Sequence, residues 1–124
     1  MGTLEHHKSK AETHQKSADT ITEEMADLLS WKVVIRFYTA LHLLDAYLST
    51  KNIHPESHSE RSRELNKNSE LSQARGKNFK KAYNRLKSIS EQIRYDVSYP
   101  FCDTDLKISG TDLATVRSFL SNRI

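Results

Sequence analysis

Cysteine, proline and glycine are scarce in this chain: one, two and three residues in 124. The lone Cys102 excludes an internal disulfide framework and any zinc site built from several cysteines. So little glycine and proline argues against a β-sandwich or barrel, whose strands need turn residues every ~8–12 positions. No apolar run approaches the ~18 residues of a membrane span, and Met1 opens no signal-peptide pattern. The expectation is one small all-α domain over 1–124, soluble, cytoplasmic and without membrane contact. A Gly-rich phosphate loop, a GxSxG elbow and the ExxH pair of a di-iron bundle are also missing. The sequence therefore names no reaction, and no cofactor is expected.

What the chain does have is charge, unevenly placed. Its 19 basic and 16 acidic residues give a net +3. Residues 74–95 hold Arg75, Lys77, Lys80, Lys81, Arg85, Lys87 and Arg94 against Glu91, a net +6, which leaves −3 for the rest. Such a run is usually a solvated helix face, and it is also the footprint that phosphates seek.

The hydrophobic pattern is helical throughout. Residues 1–19 are polar, with Leu4, Ala11, Ala18 and then Met25 forming a thin stripe seven apart. Part of the opening MGTLEHH, residues 1–3 first, reads as added ahead of a natural chain, so His6 and His7 are given no weight. From Met25 to Leu48, apolar residues including Trp31, Phe37, Leu41, Leu44 and Leu48 cover most of the helix circumference, which predicts a central helix surrounded by others. Its start is open: the capping box Thr20-x-x-Glu23 favours an early one, whereas a turn before Trp31 would leave residues 4–28 as a separate helix. Ile53-His54-Pro55 ends it by Asn52. A second box, Ser57-x-x-Glu60, opens a short surface helix to about Asn68. Phe79, Ala82, Tyr83, Leu86, Ile89 and Ile93 mark an amphipathic helix over roughly 74–95. Residues 101–110 read as loop, and Gly110-Thr111-Asp112 as the start of a last helix with Leu113, Val116, Leu120 and Ile124 inward. Together these give four or five helices packed around Trp31–Leu48.

Three polar groupings interrupt this pattern. His42 and Asp45, at i and i+3, are helix neighbours, so Asp45 is placed to fix the His42 tautomer, either in a half-buried hydrogen bond or in a general base. His54 and His58 flank a turn, but Pro55 removes the helical geometry of a metal pair and no third ligand is placed, so no metal site is assigned. His58 at the short helix's N-terminus, with Arg61 one turn on, suits an anion and equally suits a loop anchor. Arg94-Tyr95 closes the basic helix. Cys102 has no basic neighbour in sequence and reads as a passive thiol.

The segments WKVVIRFYTALHLLDAYL (31–48), IHPESHSERSREL (53–65) and AYNRLKSISEQIRYD (82–96) resemble a HEPN domain. More narrowly, they are similar to prokaryotic HEPN-like proteins with FY-x-A-L-H-x-x-D-A-Y-L, HP-x-SH-x-x-R and a late R-Y. The resemblance implies an antiparallel four- to five-helix bundle, often a homodimer. It also implies a setting among ribonuclease toxins, partners of small nucleotidyltransferases, toxin–antitoxin or defence systems, and many non-catalytic forms. Catalytic members carry R-x4–6-H with a polar residue after the arginine, on a late helix. Here Arg36 and His42 alone match, on the central helix, with Phe37 in the polar position. Six residues set them about 120° apart around a helix and ~9 Å along it. Arg94 is followed by Tyr95 and Asp96 and by no histidine.

The resemblance therefore implies a non-catalytic module binding nucleotide, RNA or a protein partner such as a cognate nucleotidyltransferase. Its polar site would comprise His42, Asp45, His58, Arg61, Arg94 and Tyr95, with Lys77, Lys80, Lys81 and Arg85 attracting phosphate. The alternatives are a metal-independent ribonuclease and a plain helical interaction domain. In the ribonuclease, His42 or His58 would act as base and Arg61 or Arg94 would stabilise the phosphorane.

Overall fold

A helix that is apolar on nearly every side needs neighbours on nearly every side. The central helix, α2 (Leu29–Thr50), has them in α1 (Leu4–Asp19), α5 (Lys77–Tyr95) and α6 (Asp103–Ser121), all packed against it. Two short helices, α3 (His58–Lys67) and α4 (Ser69–Ser72), connect α2 to α5. The computed structural model describes residues 3–19, 28–72 and 76–124, and among these the chain is all-helical. No described helix is long and apolar enough to cross a membrane.

α1 is a separate helix, so the later of the two expected starts for the central helix holds. The Thr20-x-x-Glu23 box and Met25 lie outside the described residues. α1 turns Ala11 and Ala18 inward, the two middle positions of its predicted stripe. On α2, Val33, Val34, Phe37, Ala40, Leu41, Leu44, Tyr47 and Leu48 are buried. Trp31 departs from the expectation of a core residue: it is 49% exposed, in the first turn of α2, where a helix end has neighbours on fewer sides than its middle. α2 ends in a Schellman turn. Ile53 N–H donates to the Leu48 carbonyl and Asn52 N–H to that of Ser49 (2.9 and 3.1 Å), with Asn52 at φ 59°.

α3 begins as its capping box predicts, with Ser57 Oγ accepting the Glu60 N–H at 3.1 Å. The Glu60 carboxylate accepts from the Glu56 N–H, one residue earlier than the box motif places it. Asn68 then caps α4 by accepting the N–H groups of Glu70 and Leu71. Gly76 is required by close approach: a Cβ there would overlap the Leu71 carbonyl oxygen.

The last helix corrects the sequence reading most. α6 begins at Asp103, so most of the expected 101–110 loop is helical, and Gly110 lies in mid-helix. The cap is Cys102, an unusual residue for the role, whose N–H donates to the Asp105 carboxylate at 3.2 Å. Asp112 caps nothing. It is buried and accepts a fork from Arg85, Nε to Oδ2 at 2.8 Å and Nη2 to Oδ1 at 2.5 Å. Leu113, Val116 and Leu120 are buried and Ile124 packs at the edge of the core, as their spacing predicts.

Candidate functional site

Tyr38, His42 and Asp45 lie at i, i+4 and i+7 on α2 and so share one sector of that helix. Asp45 does not bond to His42, as their spacing had suggested. Its two oxygens instead accept from Arg61 of α3, Oδ1 from Nε and Oδ2 from Nη2, both at 2.8 Å. Arg61 is thereby a tie between α3 and α2. Behind this pair lies Tyr83 of α5, buried, with its hydroxyl unpartnered among the described residues and its acidity suppressed by burial.

His42 is turned toward α1. Its ring stacks on His14 at 5.1 Å between centroids and 15° between planes, and on His7 at 5.9 Å and 29°. Burial, followed by the neighbouring His14, pushes its pKa down to about 4. His7 and His14 are also held below the ordinary range, chiefly by burial. Arg36 points elsewhere, with Nη1 donating to the Leu106 carbonyl and Ser109 Oγ of α6 at 2.8 Å each. The Arg36–His42 pair of the ribonuclease motif is therefore split between two faces of α2.

A second polar group forms where α3 and the end of α5 meet α2. The His58 ring lies 6.0 Å from Phe37. Its pKa is lowered by burial first, then by Arg61, Lys87 and Arg94, with Glu91 opposing. Arg94 donates from Nη1 to the Tyr38 hydroxyl at 2.7 Å and to that of Tyr95 at 3.3 Å. Its guanidinium carbon lies over both rings, 5.4 Å from the Tyr38 centroid and 4.9 Å from that of Tyr95. Tyr95 is 77% exposed, so one side of this aromatic clamp is open to solvent.

The basic run does not converge on this group as a whole. Arg85 is committed to Asp112 and Lys87 pairs with Glu91 at 3.6 Å. Lys77 and Lys81 are exposed near the other end of α5, and Lys77 lies about 25 Å along the helix from Arg94. Lys80, Lys87 and Arg94, seven apart, do fall on one ridge of α5. Arg75 lies outside the described residues.

The structure thus brings His42, Asp45 and Arg61 into one cluster and His58, Arg94 and Tyr95 into a neighbouring one. It adds His7, His14, Tyr38 and Tyr83, which the sequence reading did not assign. The 38/42/45 spacing on α2 and the seven-residue spacing of His7 and His14 were the available signals. No known family model matches this chain, and a search of curated proteins finds no match.

Proposed function

We propose that this chain is a non-catalytic HEPN-type module that binds the phosphates of RNA or a nucleotide at Arg94. One observation carries the reading: among the described residues Arg94 has no carboxylate partner, and it is held between two tyrosines, one of them exposed. A guanidinium fixed in this way keeps donors for a phosphate, and an exposed aromatic beside it offers a stacking surface for a base. The Lys80–Lys87–Arg94 ridge extends the positive field along α5.

Catalysis is the weaker reading, because Arg36 faces α6 and the low pKa of His42 makes it a poor base near neutrality. A homodimer and a protein partner, such as a nucleotidyltransferase in a toxin–antitoxin or defence setting, rest on the HEPN resemblance. Leu28 and Trp31, both about half exposed at the start of α2, offer such a partner an apolar anchor.

The test is binding of labelled single-stranded RNA across a salt series. Affinity should fall steeply with salt, and Arg94→Gln or Tyr95→Ala should each weaken it by about tenfold. No RNA should be cut in EDTA. Undetectable or salt-insensitive binding overturns the phosphate reading, and cleavage overturns the non-catalytic one.

A further inference from the structure

The cluster between α1 and α2 has a chemistry of its own. One ligating atom each from His7, His42 and Asp45 lies within 4.8 Å of the other two. We propose that these three residues form a site for a divalent transition-metal ion such as zinc, which would pin α1 to α2. The inference does not rest on the phosphate reading, since it uses neither Arg94 nor the ridge of α5.

Two imidazoles and a carboxylate are a common protein donor set for zinc and for related first-row metals. Ligands on a tetrahedral zinc, each bonded at 2.0–2.1 Å, stand about 3.4 Å apart. Closing the present cluster onto an ion therefore needs shifts on the order of 1 Å, within reach of rotations of the two imidazoles. His7 and His42 each also carry a buried Nδ1 with no hydrogen-bond partner among the described residues. A buried polar nitrogen without a partner is costly, and a bound ion is one way to engage such a ring.

Asp45 is held in a fixed orientation. Arg61 grips both of its oxygens and fixes the plane of the carboxylate, and each oxygen retains a lone pair. This is the role an outer-shell residue plays in metal sites, where the ligand's own hydrogen bonds set its orientation. Three protein ligands leave a fourth position for water. His14 stacks parallel to His42 and belongs to the wall of the site, outside the ligand set.

The experiment is a zinc titration of the full chain, first stripped with EDTA and then freed of it, followed by calorimetry and by thermal unfolding. One ion per chain should bind and raise the unfolding temperature. Loss of a ligand should cost at least the 10–100-fold that outer-shell changes typically cost. His7→Gln and His42→Gln should therefore each weaken zinc by that much, while His6→Gln, at an exposed position, leaves it within about threefold. Should His42→Gln not fold, His7→Gln, on the peripheral helix, carries the same comparison. The site is overturned if the wild-type chain binds no stoichiometric zinc. It is equally overturned if His7→Gln binds zinc as tightly as the wild type, or if His6→Gln weakens it as much as His7→Gln does.

Discussion

Arg61 of α3 holds Asp45 of α2 through two hydrogen bonds of 2.8 Å, with the two side chains only 14% and 5% exposed. The geometry is a fork onto a carboxylate, which fixes direction as well as distance. α3 is polar and buries only Leu65, so this pair supplies much of what seats it against the central helix. Truncating Arg61 would leave a buried carboxylate uncompensated, and breaking such a pair costs roughly 3–5 kcal/mol. Arg61→Ala should therefore destabilise the protein by about 3 kcal/mol or more in urea unfolding. The double change Asp45→Leu with Arg61→Met should recover most of the loss, because no charge then remains buried. A loss below about 1 kcal/mol for Arg61→Ala would mean that the pair behaves as a solvent-exposed one.

Tyr83 gives the opposite expectation from the same neighbourhood. Its ring belongs to the core, yet its hydroxyl is buried beside Asp45 and Arg61 without a hydrogen bond to either. An unsatisfied buried hydroxyl opposes folding by roughly 1–3 kcal/mol, offset in part by the small void its removal leaves. Tyr83→Phe should be neutral or stabilise by up to about 1 kcal/mol, read as the urea midpoint at constant slope. Destabilisation beyond about 1 kcal/mol would show that the hydroxyl is part of the Asp45–Arg61 network in solution.

The sequence reading succeeded where a signal was periodic and local. The Ala11 and Ala18 positions of the α1 stripe, the apolar surround of α2 beyond its first turn, the Ser57 cap and the spacing of α5 are each decided by residues a few positions apart, and each is found as expected. It failed where a residue's partner is distant in sequence. Asp112 looks like a helix cap beside Gly110 and Thr111, but its partner Arg85 is 27 residues away. Asp45 looks like the partner of His42, yet a guanidinium 16 residues on competes for it and wins, because a bidentate charged fork outmatches one imidazole bond. Cys102 hid the start of α6, since nothing local marks a cysteine as a cap. His7, set aside with the opening residues, is the clearest omission, because only the packing of α1 on α2 brings it to His42.

His58 should give stability and ligand binding opposite dependences on pH. Its ring faces Phe37 of α2 and, electrostatically, Arg61 of α3 and Lys87, Glu91 and Arg94 of α5. Burial first, then the three cations against the one carboxylate, holds its pKa below the ordinary 6.5. In the unfolded chain that restraint is lost, so below pH 6.5 the unfolded state binds more protons than the folded one. Stability from this group is therefore full above pH 6.5 and declines as pH falls through that value toward the folded pKa. His58→Gln should lessen the fall in unfolding free energy between pH 7 and pH 5, measured in EDTA, and the remainder belongs to His7, His14 and His42, whose pKa values burial also lowers. A phosphate bound at Arg94 reverses the preference at His58, because an anion stabilises the imidazolium that the cations oppose. RNA affinity of the wild-type chain should accordingly rise over the same interval in which its stability falls, and His58→Gln should lose that rise. Parallel slopes for stability and affinity, or an unchanged affinity profile in His58→Gln, would place the bound phosphate away from His58.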